Sequence, residues 1–197
     1  MRFEPNRKTR SVGNREQAQK LLLKADEAAR DKSKPTNIDH GYQLFASACY
    51  ADPTFSDAFY ANGNNAVDLE RPHAAVALYR RALECESRPK ERALVLTNMA
   101  WALMKIGGHQ EAIGHLHEAV DLDPKLTLAY MHLGLCHQTF GETETAVSCA
   151  RKCFEMTDMN NGEAIALAEF QLAFALLFNR NYAEGLKAFE SRFAARL

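Results

Sequence analysis

The residues whose types and spacing best suit metal binding in this sequence are cysteines and histidines in one stretch of the chain. Cys149 and Cys153 stand four residues apart, which would place both thiols on one face of a helix, and Cys136 precedes them. Two such thiols could bind zinc together with a histidine such as His132 or His137. Cys153, however, occupies a repeat position that holds alanine elsewhere, and buried cysteine behaves as a small hydrophobic residue. We therefore expect core residues here, and we predict neither a metal site nor another cofactor.

Recognisable catalytic motifs are missing from the sequence. It contains no G-x-x-x-x-G-K-[ST] phosphate loop, no G-x-G-x-x-G after a strand and no G-x-S-x-G nucleophile motif. His115 and His117, two residues apart, would point to different faces of a helix. Acidic residues are scattered, with no acid pair or cysteine–histidine couple. The sequence therefore predicts a protein that is not an enzyme.

The composition is ordinary for a folded chain. The 197 residues include 24 Lys+Arg and 25 Asp+Glu, which gives a net charge of −1, and 47% of the residues are hydrophobic. Near-neutral charge argues against a dedicated nucleic-acid binder. The absence of an apolar run of about 18 residues argues against a membrane span. An odd number of cysteines within apolar segments, and a basic start with no apolar stretch after it, favour a cytoplasmic protein.

The sequence repeats with a period of about 34 residues. Residues 112–124 align with 146–158, and Gly107 aligns with Gly141. Longer steps of 37 and 39 residues elsewhere are explained by short polar inserts around 88–91 and 159–162. Apolar residues recur at spacings of three and four, so each repeat is predicted to form two amphipathic helices. The predicted repeats span residues 15–53, 56–89, 93–126, 127–160 and 162–197.

These repeats resemble the tetratricopeptide repeat, whose pattern is W-x2-L-G-x2-Y, then A-x3-F-x2-A, then P. In the third repeat, these positions are held by Leu96, Met99, Ala100, Leu103, Ala112, Leu116, Ala119 and Pro124. Small residues stand where paired helices of the family approach most closely, at Gly63, Ala100, Gly134 and Ala173. The resemblance implies an all-α fold, a right-handed superhelical solenoid of about five helix-turn-helix repeats over residues 15–197. It also implies that the first helix of each pair lines the concave face.

Positions at i, i+3, i+7 and i+10 or i+11 of the first helices form a stripe expected to face a partner. The stripe is mixed polar in the second repeat and mainly apolar from Leu94 onward, and an exposed apolar patch is typical of a binding surface. Its centre holds the single tryptophan, Trp101, a residue type common at interface anchors. The predicted partner-binding residues are Tyr60, Asn64, Leu94, Asn98, Trp101, Met104, Lys105, Leu128, Met131, His132, Leu135, Phe170 and Phe174. Further stripe positions are Thr97, Gln138, Thr139, Leu167, Leu177 and Phe178. Core packing remains an alternative for Trp101, Phe174 and Leu177.

The two ends depart from the repeat pattern. Residues 1–14 are basic and are expected to form a flexible N-terminal arm. The last helix keeps Phe189, Phe193 and Leu197 at i, i+4 and i+8, a stripe that predicts self-association. The closing stretch 182–193 is also similar to the last repeat before the catalytic domain of bacterial repeat-linked glycosyltransferases.

The leading hypothesis is a protein–protein interaction scaffold that holds an apolar or amphipathic peptide segment in its concave groove. Some members of the family bind acidic chaperone tails through a carboxylate clamp. This chain has Asn64 and Asn98 at the asparagine positions, but Tyr60, Leu128 and His132 stand where Lys or Arg is needed, which disfavours a clamp. A self-associating assembly protein and a substrate-presenting module of a glycosyltransferase system remain as alternatives.

Overall fold

The computed structural model describes the backbone of residues 11–30, 35–157 and 161–194, and the side chains of residues 14–30, 40–157 and 161–190. In these ranges all regular structure is α-helical, with no strand. The helices are α1 (Ser11–Arg30), α2 (Pro35–Ala51), α3 (Ser56–Asp68), α4 (Pro72–Cys85), α5 (Pro89–Lys105), α6 (His109–Leu122), α7 (Thr127–Thr139), α8 (Thr143–Met156), α9 (Gly162–Phe178) and α10 (Tyr182–Ala194). Residues 11–14, placed in the N-terminal arm by the sequence, thus belong to α1, and residues 1–10 lie outside the described ranges.

The helices pack in consecutive pairs, and the pairs form two compact units. Helices α1–α4 form the N-terminal unit and α5–α10 form the C-terminal unit. Each odd-numbered helix packs against the even-numbered helix that follows it, and α2, α6 and α8 also contact the first helix of the next pair. The all-α fold of five tandem helix-turn-helix repeats, expected from the sequence, is confirmed.

Proline and a left-handed residue mark the helix boundaries. Helices α2, α4 and α5 begin at proline, whose missing N–H is harmless in the first turn. The turns inside the last four pairs each place a positive φ at the same repeat position: Glu70 (56°), Gly107 (82°), Gly141 (75°) and Arg180 (60°). Glycine adopts this conformation without a steric penalty. The repeat therefore imposes one turn geometry even where the residue is Glu or Arg.

In the N-terminal unit, α3 and α4 approach closely at Gly63. A Cβ atom at this glycine would lie 2.5 Å from Cε1 of Tyr79, whose side chain is almost completely buried. The Tyr79 hydroxyl donates a hydrogen bond of 2.7 Å to Oδ1 of Asn64. The small residue predicted at this close approach is therefore required by packing.

A carboxylate at the end of each of the first three pairs holds the turn into the next segment. The carboxylates of Asp52, Glu86 and Asp123 accept from the backbone N–H two residues later, at 2.9, 2.9 and 3.1 Å. Arg15 pairs with Asp52 in the N-terminal unit. There Arg88 also binds Glu86, and these hydrogen bonds lower the pKa of the Glu86 carboxyl to about 2. These acidic residues therefore stabilise the repeat turns.

Candidate interaction surface

Six stripe residues line one cleft of the C-terminal unit. The first helices of its three pairs are neighbours, because α5 contacts α7 and α7 contacts α9. The cleft has a volume of about 360 Å³ and is lined by Met104, Leu135, Gln138, Thr139, Phe174 and Phe178. All six positions were predicted from the repeat period, and each of the three helices supplies some of them. The structure thus brings residues from three repeats onto one surface.

A second, smaller cleft shares a wall with the first. It has a volume of about 140 Å³ and reaches α8, where Ala146 and Ala150 line it. Leu135, Gln138 and Phe174 line both clefts. These three side chains therefore lie at the centre of the apolar surface.

Three phenylalanines on α9 form an exposed aromatic row. Phe170, Phe174 and Phe178 are spaced four residues apart, and neighbouring ring centroids lie 6.1 and 6.4 Å apart in stacked orientation. Their exposed fractions are 41, 49 and 53%. The core alternative is thereby excluded for Phe174. Leu177 is partly buried, and a Cβ at Gly185 of α10 would lie 2.9 Å from Leu177 Cγ, so this side chain packs closely against α10.

Trp101 is partly exposed and is held by two neighbours. Its ring stacks on the imidazole of His132, with centroids 5.2 Å apart and planes 12° from parallel. The Nζ atom of Lys105 lies 4.7 Å from the centroid of the Trp101 ring. Such a cation–π contact at an exposed site contributes about 0.5–1 kcal/mol. These contacts fix the orientation of the Trp101 side chain.

His132 is not at the surface, contrary to the expectation that it faces a partner. Only 5% of the residue is exposed, and its Nδ1 has no hydrogen-bond partner among the described residues. Burial lowers the pKa of His132 to about 4, although a hydrogen bond to the backbone of Thr97 opposes this shift. Thr97 is also fully buried, and its hydroxyl donates to the carbonyl of Ala93 at 2.8 Å. His132 lies one step to the side of the stripe. Thr97, contrary to its predicted position on the stripe, is buried where α5 and α7 pack together.

The other predicted binding residues fall into two groups. In the C-terminal unit Leu94 is 40% exposed and Lys105 is exposed, whereas the remaining ones are partly buried: Asn98, Met104, Leu128, Met131 and Leu135. In the N-terminal unit, Asn64 is engaged by Tyr79, and the Tyr60 ring centroid lies 6.1 Å from that of Tyr79. Asn64 therefore has a structural role, whatever else it contacts.

The last helix exposes an apolar face that the sequence predicted only in part. Tyr182, Leu186 and Phe189 are 59, 52 and 37% exposed. Of the predicted self-association residues, Leu197 and the side chain of Phe193 lie outside the described residues. Leu186 was missed, although the 39-residue step aligns it with Val147.

Three of the five cysteines, Cys49, Cys136 and Cys153, are buried, and Cys85 and Cys149 are partly buried. Cys136 and Cys153 are 0 and 4% exposed, and burial raises the pKa of the Cys136 thiol to about 11. The structure shows all five cysteines as free thiols. Within the described ranges, no group of three His, Cys, Asp or Glu side chains converges as metal ligands would. None of the described helices is both long and apolar enough to span a membrane.

Helix pairs in fixed register, with a shared turn geometry and an apolar surface on the first helices, define an α-helical repeat protein. The family model of the tetratricopeptide repeat matches residues 128–158, which cover α8 and all but the first residue of α7. The other pairs repeat this helix-turn-helix architecture, and the chain is similar to tetratricopeptide repeat proteins.

Among curated proteins, the chain is similar to the photosystem I assembly protein Ycf3 of Synechococcus elongatus, with 32% identity over 85 residues. That alignment covers 43% of this chain and 49% of the relative. Small glutamine-rich tetratricopeptide repeat-containing protein 2 of Mycosarcoma maydis is 30% identical over 123 residues, 61% of this chain and 34% of the relative. The chain thus spans half or less of the length of these relatives.

Solved structures support the fold over most of the chain. A crystal structure of MamA superposes with a TM-score of 0.72 and 20% identity, covering 91% of each chain. YrrB, described as a tetratricopeptide repeat protein with an unusual peptide-binding site, gives a TM-score of 0.66 at 20% identity. That match covers 92% of this chain and 88% of YrrB.

Proposed function

We propose that this chain is a protein–protein interaction scaffold that binds an apolar or amphipathic peptide segment of a partner on α5, α7 and α9. The observation that carries this proposal is the cleft lined by six stripe residues from three helices. The exposed aromatic row continues the same apolar surface, and exposed apolar surfaces of this kind mark binding sites. The similarity to a photosystem I assembly protein and to YrrB, which has a peptide-binding site, supports the coarser role of an interaction scaffold.

Leu135 and Phe174 are the expected anchors, because both contribute to the two clefts. A well-placed anchor contributes about 2 kcal/mol to binding, so losing one weakens affinity by about 30-fold. Leu135→Glu would place a carboxylate in the apolar surface and would remove the anchor. Since Leu135 is partly exposed, this change leaves the buried core intact.

The test selects binders from a displayed library of random peptides on the wild type, Leu135→Glu and the matched control Leu23→Glu. Leu23 is 64% exposed on α1 and lies outside the stripe. We expect apolar peptides to be enriched on the wild type and on Leu23→Glu. A synthetic selected peptide should bind Leu135→Glu about 30-fold more weakly, with unchanged circular dichroism. Either no enrichment or equal binding to Leu135→Glu refutes the proposed function.

Self-association through α10 is a second candidate, favoured by the repeat register. Val147 and Ala150 of α8 are buried in a cluster with Ala175 and Leu176 of α9. Leu186 and Phe189 occupy the same repeat positions on α10, and they are exposed. The proposed occupant of this face is a second copy of the chain.

Sedimentation velocity over a range of concentrations tests this second candidate. We expect the wild type to form a larger species as concentration rises, and Leu186→Glu to remain a monomer. The control Leu23→Glu should behave as the wild type. A wild type that stays monomeric throughout removes the candidate.

The two buried acidic groups are also more consistent with a binding role than with catalysis. Asp52 and Glu86, the two buried carboxylates of the described side chains, are engaged by arginines and backbone amides. Their hydrogen bonds hold turns together. The glycosyltransferase-linked role and the cytoplasmic location remain predictions from the sequence.

A further inference from the structure

We propose that the bound segment carries an aspartate or glutamate side chain that pairs with Lys105 beside the apolar cleft. This inference rests on the proposed function, because it concerns the same surface. It adds an acidic residue to a segment that is otherwise defined only by apolar anchors. It also fixes the orientation in which the segment binds.

Lys105 is the single charged residue of the stripe on α5, α7 and α9, all of whose positions are described. The neighbouring imidazole of His132 is buried and neutral near pH 7, since its pKa is about 4. The stripe on these three helices therefore carries one fixed positive charge beside its apolar residues. Charge complementarity at such a place contributes specificity and speeds association.

The ammonium of Lys105 contacts an aromatic ring and, among the described residues, makes no ion pair with a carboxylate. Its contact is the Trp101 ring at 4.7 Å. Arginines elsewhere in the same unit do have acidic partners: Arg92 binds Glu118 at 2.9 Å, and Arg151 binds Glu184 at 2.7 Å. A lysine ammonium has three donors, so it can keep the ring contact and still bind a carboxylate.

Two carbonyl groups near the end of α5 already accept hydrogen bonds from backbone N–H groups. The Leu103 carbonyl accepts from the N–H groups of Ile106 and Gly108, and the Met104 carbonyl accepts from Gly107. The Gly107–Gly108 turn thus engages the carbonyl groups of Leu103 and Met104.

The cleft and Lys105 lie at the same end of the helices. Met104, Gln138, Thr139 and Phe178 belong to the last turns of α5, α7 and α9, and Lys105 directly follows Met104. A segment with an apolar side chain in the cleft thus has its neighbouring residues close to the ammonium. An acidic side chain there is attracted, whereas a lysine or arginine is repelled.

The experiment repeats the displayed-peptide selection on the wild type, Lys105→Glu and the matched control Lys152→Glu. Lys152 lies on α8, outside the stripe, with its Nζ 5.6 Å from the centroid of the Tyr130 ring. Both substitutions make the same change in net charge and remove a cation–π contact. We expect peptides selected on the wild type and on Lys152→Glu to carry an acidic residue at a constant spacing from an apolar anchor. Lys105→Glu should select a basic residue at that position.

Affinity measurements on one selected peptide complete the test. Changing its acidic residue to the neutral amide should weaken binding to the wild type by about tenfold and should have little effect with Lys105→Gln. The emission of Trp101, the single tryptophan, should change on binding.

Two outcomes separate this inference from the proposed function. Enriched peptides that require Leu135 but show no acidic preference, or the same acids selected by Lys105→Glu, overturn the inference and leave the proposed function standing. The absence of Leu135-dependent peptides refutes both.

Discussion

Acidification is expected to destabilise the C-terminal unit through His132. The imidazole is 5% exposed and stacks on Trp101, and burial lowers its pKa from 6.5 to about 4. As the pH falls, the unfolded state therefore binds a proton before the folded state does. The stability that a neutral His132 provides is present above about pH 6.5 and is lost as the pH falls toward about 4.

The size of the effect follows from the two pKa values. With 6.5 for the unfolded chain and about 4 for the folded one, the free energy of unfolding should fall by about 2 kcal/mol between about pH 7 and about pH 5. This is a large part of the stability of an ordinary domain.

Urea denaturation followed by the emission of Trp101 measures this effect, because the fluorophore lies on the imidazole itself. His132→Phe keeps a ring against Trp101 but cannot be protonated. In this variant, most of the decrease in the free energy of unfolding between about pH 7 and about pH 5 should be absent. His40→Phe, at an exposed position of the N-terminal unit, controls for histidine removal elsewhere. The same decrease in the wild type and in His132→Phe would refute the reasoning.

Two further predictions concern the repeat architecture. Glu86→Gln should reduce the free energy of unfolding at neutral pH by roughly 1–2 kcal/mol, because it removes the buried carboxylate that binds Arg88. The loss is limited because solvent around the half-exposed Arg88 screens part of the attraction. The folded pKa of Glu86 is about 2 and its ordinary value is 4.5, so its stabilisation is present above about pH 4.5 and lost as the pH falls toward about 2. The melting temperature should fall less steeply with acidification in the variant than in the wild type. An equally steep fall would contradict this role of Glu86. Gly63→Ala should destabilise the protein by about 1–3 kcal/mol through its clash with Tyr79, whereas Gly114→Ala, with no atom within 4 Å of the new Cβ, should be neutral or stabilising by up to about 1 kcal/mol. Equal melting temperatures for the two alanine variants would show that the α3–α4 contact is not tight.

The repeat period allowed the residues that line the cleft on α5, α7 and α9 to be predicted. Met104, Leu135 and Phe178 are far apart in the chain, yet helix periodicity and repeat register together place them in one cleft. Local pattern was insufficient for some residues on the stripe and beside it. His132 and Thr97 differ from exposed positions by a small rotation about the helix axis, and the contact between α5 and α7 decides that they are buried.

The sequence by itself determined the helical pairs, their register and the apolar character of the first helices, because these depend on spacing within and between repeats. It left open whether Phe174 belongs to the core and did not single out Leu186. Only the tertiary structure decided these points, since the exposure of a side chain depends on whether a neighbouring helix covers it. The same is true of the stacking between Trp101 and His132, which depends on the packing of α5 against α7.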